Sequence, residues 1–214
     1  KVEVAETVAR DKVVISGFCP LLIPPAISHI LRVCLVADLP SRIETARQEA
    51  DLDDKAASRE IRRHDEALGA WVKDHRGSDA PWNPSLYDIV LPTDKTPRDE
   101  AILLVIESLG NQAVQPTAAS LRAAEDFLIA ARVERELAKA GHHVEVGCRN
   151  GDVTLTINKH VLMLGRLEEE LKEIAGPVDG VRSVETRVGK DFYQTDIFRK
   201  VDYKIPYRMS FDNN

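Results

Sequence analysis

Cysteine, aromatic residues and long apolar runs are all scarce in this sequence of 214 residues. The three cysteines, Cys19, Cys34 and Cys148, lie far apart without CxxC spacing, so they form neither a disulfide framework nor a zinc knuckle, and a reducing compartment fits best. No run of 18 apolar residues occurs, and the first residues lack the pattern of a secretory signal. We therefore expect a cytoplasmic globular protein.

An excess of positive charge is also absent. The chain has 29 lysines and arginines against 35 acidic residues, a net charge of −6, and neither half carries a basic excess. Because nucleic-acid-binding surfaces depend on clustered positive charge, no nucleic-acid partner is expected. The basic residues near the C-terminus are offset by Asp202 and Asp212, so membrane contact is not expected either.

Short apolar runs and helical segments alternate in the first half of the chain. Residues 12–16, 31–37 and 87–91 are rich in β-branched residues, which is typical of strands in a parallel sheet covered on both faces. Residues 40–76 are polar with few periodic apolar positions, which predicts a solvated helical arm rather than a core element. A helix is expected from Thr96-Pro97 to about Leu109. The pattern predicts an α/β fold.

The second half predicts a small α-β-β-α-β unit that follows a linker at residues 110–116. The Asn150-Gly151 pair predicts a tight hairpin, because both residues tolerate a positive φ. The expected elements are a helix at 117–140, strands at 143–148 and 153–157, a helix at 161–175 and a strand at 181–188.

Six of the eleven aromatic residues are concentrated in the last 23 residues: Phe192, Tyr193, Phe198, Tyr203, Tyr207 and Phe211. They either pack on one of the domains or form a subunit contact, since aromatic side chains dominate interface anchors. The predicted organisation is a domain at 1–112, a second domain at 117–190 and an aromatic-rich extension at 191–214.

Several segments of the first half occur in an order typical of one enzyme family. They are Ala5-Glu6 before KVVISG, then HILRVCLVADLPSRIE, a charged arm, and NPSLYDIVLPTDKTPRDEA. Through them, residues 5–109 resemble the cytidylate-kinase-like family of P-loop nucleotide kinases. The resemblance implies a parallel-sheet nucleotide-kinase-like domain in which the arm acts as a lid. It also implies phosphate-binding candidates at Arg42, Arg59, Arg62 and Arg63, with Asp65 able to orient one of them.

The departures from this family concern the groups that would hold phosphate. The phosphate-binding motif GxxxxGK[ST] is absent, and since the sequence starts at Lys1 we expect this motif upstream, trimmed or lost. Phe18 and Leu68 stand where the family commonly has arginine. Losing such clamps would cost several kcal/mol of transition-state stabilisation, which favours a degenerate kinase. A solvated helix with intrahelical ion pairs remains the alternative for the Arg-rich stretch.

Three segments of the second half, ARVERELAKAG, VEVGCRNGDVTLTI and VDGVRSVETRV, resemble the BON domain, an α-β-β-α-β module of bacterial proteins. The sequence departs from that family at Asn158, where a glycine is usual. The resemblance implies binding to a ligand or a surface rather than catalysis. A metal site at His142, His143 and His160 is not expected, since the adjacent His142 and His143 would point to opposite faces of a strand and could not both bind one ion. Cys19 is expected to serve packing.

Two functions follow as expectations. The first is a bacterial regulatory or sensory protein in which an incomplete, degenerate cytidylate-kinase-like domain precedes a BON-like module. Its partners would be a nucleotide, and a protein or a second copy bound through the BON-like domain and the C-terminal aromatics. The second is a nucleoside-monophosphate (CMP-type) kinase whose P-loop lies upstream and which requires ATP and Mg²⁺.

Overall fold

The computed structural model describes residues 1–10, 12–78, 80–190 and 192. The chain divides into two compact units, Lys1–Arg132 and Val133–Asn214. The domain bounds at 1–112 and 117–190 stay a prediction. The aromatic-rich extension lies outside the described residues apart from Phe192.

The first unit is a mixed α/β structure with a small parallel sheet. Its strands are β1 (Val33–Val36) and β2 (Ile89–Pro92), paired in parallel with Val33 opposite Ile89. Its helices are α1 (Val2–Val8), α2 (Leu39–Ala50), α3 (Asp54–Arg76), α4 (Arg98–Leu109) and the first part of α5 (Ala118–Lys139). Three single turns of 3₁₀ helix lie at Cys19–Leu22, Pro84–Leu86 and Gln112–Val114.

Short polar side chains fix where the helices begin. Asp38 accepts a hydrogen bond from the backbone N–H of Ser41 and caps α2, and Asp53 caps α3 in the same way. The hydrogen bonds that Asp38 accepts lower the pKa of its carboxyl. At the start of α5 the capping is reciprocal, since Thr117 and Ser120 each accept the other's backbone N–H. α3 ends at Gly77, whose φ of 66° suits glycine.

Two hydrophobic clusters of described residues stabilise the first unit. One joins α1, the loop after it and α5: Val4, Ala5, Val8, Ile23, Ile27, Ala124, Phe127 and Ala131. The other joins α3 to the first 3₁₀ turn through the buried residues Leu21, Leu68 and Val72, with Trp71, Leu86 and Tyr87 packed against them. α3 is therefore anchored at its C-terminal half by apolar burial.

The predicted strand at residues 12–16 is wrong. These residues form no strand, and Val14 is 97% exposed. A strand requires a partner for its backbone groups, and the described sheet contains only β1 and β2. The prediction of a sheet covered on both faces is also wrong, because Leu35 in β1 is 63% exposed and Val90 in β2 is exposed as well.

The prediction of a solvated arm at residues 40–76 holds for α2 but is wrong for α3. α2 has no buried residue, whereas α3 buries Ala57, Leu68 and Val72. Leu68 and Val72 are four residues apart, so they lie on one face of the helix and pack together on Leu21.

The second unit combines a three-stranded sheet with helical segments. After the end of α5 come β3 (Glu145–Arg149), β4 (Asp152–Ile157), α6 (Leu164–Ala175) and β5 (Ser183–Val188). β4 is the central strand, antiparallel to β3 and parallel to β5. The predicted hairpin is confirmed, since Asn150 and Gly151 have φ values of 53° and 82° and join β3 to β4. Within the described ranges, none of the helices is long and apolar enough to cross a bilayer.

Candidate functional site

The candidate site is centred on an ion pair between α2 and α3. Arg42 donates two hydrogen bonds to Asp65, from Nη1 to Oδ2 at 2.9 Å and from Nη2 to Oδ1 at 2.6 Å. Both side chains are partly buried, with 31% of the Arg42 side chain and 25% of the Asp65 side chain exposed. The hydrogen bonds to Asp65 raise the pKa of the Arg42 guanidinium. Asp65 therefore pairs with Arg42, and each Nη group of this arginine donates a hydrogen bond to the Asp65 carboxylate.

The remaining three arginines of the site prediction differ in their partners. Arg63 forms an exposed ion pair with Glu60 one helical turn away, which raises the pKa of the arginine and lowers that of the glutamate. Arg59 and Arg62 are exposed, and neither side chain has a hydrogen bond or ion pair with another described residue. Intrahelical pairing therefore accounts for Arg63 alone among these three.

A groove of about 400 Å³ runs along the face of α3 that carries Asp65. Its lining residues are Leu39, Ser58, Ile61, Arg62, Asp65, Glu66, Gly69, Pro81 and Trp82. The six residues from α3 follow the spacing of a single helix face. Arg42 borders the groove through its pair with Asp65, whereas Arg59 and Arg63 are not among the lining residues. The structure therefore brings together Arg42, Arg62 and Asp65.

Trp82, Pro81 and Leu39 are site residues that the sequence analysis did not single out. The helix periodicity at 58, 61, 62, 65, 66 and 69 is visible in the sequence and could have identified the α3 wall. No sequence signal identifies the opposite wall, because residues 81 and 82 reach α3 only through the tertiary fold.

Phe18 and Leu68, the two positions where the kinase-like family commonly has arginine, form packing contacts in this structure. The Phe18 ring lies against His64 of α3 with centroids 5.3 Å apart. Leu68 is buried against Leu21 and Val72. Neither position contributes a cation to the groove, and both contribute to packing between α3 and the first 3₁₀ turn.

The described residues hold no cluster of three or more His, Cys, Asp and Glu side chains suited to a metal ion. His142 contacts Glu170 at 3.2 Å, and His160 lies against the ring of Phe192 at 5.2 Å, so these two histidines have different partners. No disulfide joins Cys19, Cys34 and Cys148, and burial raises the pKa of the Cys34 thiol. The site combines guanidinium groups, carboxylates, the Ser58 hydroxyl and one exposed indole with the apolar side chains of Leu39, Ile61 and Pro81.

Among the comparisons with known proteins, one family model matches the first part of the chain. No curated protein and no solved structure matches the sequence. The BON resemblance of residues 128–188 stays a prediction. Residues 1–95 match the model of the cytidylate kinase-like family, and this match spans α1 to β2 with the Arg42–Asp65 pair and the whole of α3, so this part of the chain is similar to that family.

Proposed function

We propose that this chain is a bacterial regulatory or sensory protein, in which a degenerate cytidylate-kinase-like domain binds a nucleotide without transferring its phosphate and a BON-like module binds a ligand or surface. The Arg42–Asp65 pair carries this proposal. Phosphoryl transfer depends on guanidinium groups aimed at the transferring phosphate. Here the Arg42 guanidinium already has a carboxylate on both of its Nη groups.

Packing around α3 supports the same conclusion. A lid must move to admit substrate and to close over it. α3 is anchored by Leu68 and Val72 in a hydrophobic cluster and by the contact between Phe18 and His64. Opening α3 would expose these apolar side chains to water, which is unfavourable by roughly 1.5–3 kcal/mol for each fully buried large side chain. The arm thus supports binding more readily than a catalytic cycle of opening and closing.

The second unit supports the binding role of the proposed module. Its elements follow the order α-β-β-α-β, with β3 and β4 joined by the Asn-Gly hairpin. The loop before α6 exposes Leu162 almost completely and Met163 by 65%. Exposed apolar side chains of this kind are common at contact surfaces. The resemblance of this unit to the BON domain implies recognition of a ligand or a surface.

A CMP-type kinase is the second candidate function, and it rests on the family match together with Arg59 and Arg62. These two arginines are free to meet phosphate, as a lid would require. In this case the P-loop and its lysine would come from outside these 214 residues, with ATP and Mg²⁺ as cosubstrate and cofactor.

Calorimetry and a coupled assay on the 214-residue chain distinguish the two functions. We expect heat of binding with CMP or ATP in the presence of Mg²⁺, and no ATP-dependent formation of CDP. Turnover that Arg59→Ala and Arg62→Ala abolish would refute the regulatory proposal in favour of the kinase. If neither nucleotide gives heat of binding, the nucleotide-binding role is refuted. Flotation with lipid vesicles tests the second unit separately, using Leu162→Ser as the comparison variant.

A further inference from the structure

Trp82 presents an indole ring at the groove on α3. Its side chain is 39% exposed, and it makes no ring contact with another described aromatic residue. The other tryptophan, Trp71, is stacked on His75 with ring centroids 4.3 Å apart and packs against the cluster around Leu68. Trp82 is therefore the tryptophan whose ring can accept a second planar group.

Hydrogen bonds to the carbonyl groups of Pro81 and Ala80 fix the backbone around Trp82. The Tyr87 hydroxyl donates a hydrogen bond of 2.7 Å to the carbonyl oxygen of Pro81, and the Asn83 N–H donates one of 3.1 Å to Ala80. Tyr87 itself packs against the hydrophobic cluster that anchors α3. Because the same cluster fixes both walls of the groove, the distance between Trp82 and α3 is set before any ligand arrives, which lowers the entropic cost of binding.

A stripe of three cations leads along α3 to this groove. Lys55, Arg59 and Arg62 follow the spacing i, i+4, i+7, which places them on one side of the helix. All three are exposed, and none of their side chains has a hydrogen bond or ion pair with another described residue. Three cations without carboxylate partners form a surface that favours an anionic group.

The carboxylates that line the groove do not cancel its preference for an anionic group. Asp65 is neutralised by Arg42 through two hydrogen bonds. Glu66 is the one lining carboxylate without such a pair, and Arg62 among the lining residues matches its charge, while Lys55 and Arg59 of the stripe add positive charge beyond the lining. Leu39, Ile61 and Pro81 supply apolar walls around Trp82. A volume of about 400 Å³ lies within the range of small-molecule sites.

We propose that this groove binds a small ligand made of a planar heteroaromatic ring and an anionic group, with the ring on Trp82 and the anion on Arg62. The inference rests on the proposed function, since a nucleotide has both parts. Arg59 and Lys55 extend the positive charge beyond Arg62 and would accommodate a longer phosphate chain.

Fluorescence of Trp82 provides the test, with Trp71→Phe as the background that isolates its emission. Titration with CMP is expected to quench this emission. Trp82→Ala and Arg62→Ala, compared in calorimetry, are each expected to weaken CMP binding about tenfold, in line with base stacking and charge-assisted hydrogen bonds. Arg63→Ala is the matched control and is expected to bind as the parent does, because Arg63 is paired with Glu60 and does not line the groove. Urea unfolding of each variant checks that its fold is retained.

Ligand fragments separate the two contacts. Cytidine is expected to respond to Trp82→Ala but not to Arg62→Ala, and ribose 5-phosphate is expected to show the reverse. If CMP binds in calorimetry while Trp82→Ala and Arg62→Ala both bind it unchanged, the groove proposal is overturned and the proposed nucleotide-binding function stands. If no nucleotide binds at all, both fail. Inorganic phosphate that binds as tightly as CMP would overturn the stacking role of Trp82.

Discussion

Arg42 of α2 and Asp65 of α3 form a two-pronged ion pair across 23 residues of sequence. α2 has no buried residue, so apolar burial does little to hold it. Arg47 of α2 also contacts Asp54 of α3 at 3.2 Å, and these side chains are 48% and 76% exposed. The Arg42–Asp65 pair is therefore the better shielded polar link between the two helices.

Removal of this pair should destabilise the first unit modestly. Arg42→Ala is expected to lower the free energy of unfolding by about 1 kcal/mol, at the upper end for partly exposed pairs because the geometry is bidentate. The measurement is urea unfolding at low and high salt, where added salt should reduce the loss. Arg63→Ala is the control and should lower stability less than Arg42→Ala does, because the Arg63–Glu60 pair is exposed to solvent. Equal losses for the two variants would contradict a special role for Arg42.

Local signals in the sequence predicted the elements whose formation depends on neighbouring residues. The β-branched runs at 31–37 and 87–91 contain β1 and β2, and Asn150-Gly151 forms the expected turn. The run at 12–16 has the same composition but no strand partner in the described chain. Strand formation depends on pairing, which composition cannot supply.

The candidate site was predictable in residue type but not in geometry. The family resemblance and the charged arm identified Arg42, Arg62 and Asp65 as candidates. Which arginine Asp65 contacts depends on how α2 folds back on α3, and Trp82 reaches the groove through packing around Tyr87. Such contacts between distant segments have no local signature. Burial of Leu68 likewise depends on Leu21, which comes from a segment far upstream.

Gly189 is expected to be intolerant of a side chain. A Cβ at this position would overlap the Asn158 carboxamide and lie 2.9 Å from Cγ2 of Thr156. Gly189→Ala should therefore lower the free energy of unfolding by about 1–3 kcal/mol, the usual cost of overpacking. Thermal or urea unfolding measures it, with Gly165→Ala as control, since that site in α6 is open and alanine favours helix.

The double variant Gly189→Ala with Asn158→Ala tests the cause of that loss. Removing the Asn158 carboxamide takes away the closest obstacle, so the double variant should recover part of the lost stability. Additive losses from the two substitutions would show that the clash is not with Asn158. This contact also explains how the turn after β4 accommodates asparagine, because the glycine at 189 leaves room for its side chain.

The hairpin between β3 and β4 should depend on Gly151. Its φ is 82°, and a Cβ would lie 2.9 Å from the carbonyl oxygen of Gly180. Gly151→Ala combines backbone strain with this clash and is expected to cost about 1–3 kcal/mol. Gly147→Ala in β3 is the matched control, because the nearest atom to its added Cβ is 3.9 Å away. Urea unfolding compares them, and similar losses for both would mean that glycine is needed throughout the hairpin rather than at the turn.

Tyr87 should make stability depend on pH in the alkaline range. Burial, with a smaller contribution from Cys34, raises its pKa from 10.0 to about 12. The folded state therefore holds the phenolic proton more tightly than the unfolded state, so the stabilisation is complete below pH 10 and is lost as pH rises towards 12. Urea unfolding of the parent and Tyr87→Phe at a series of pH values measures this loss. The parent should lose stability relative to Tyr87→Phe between pH 10 and 12, while the two should keep a constant difference below that range. A constant difference across the whole series would show that Tyr87 titrates equally in the folded and unfolded states.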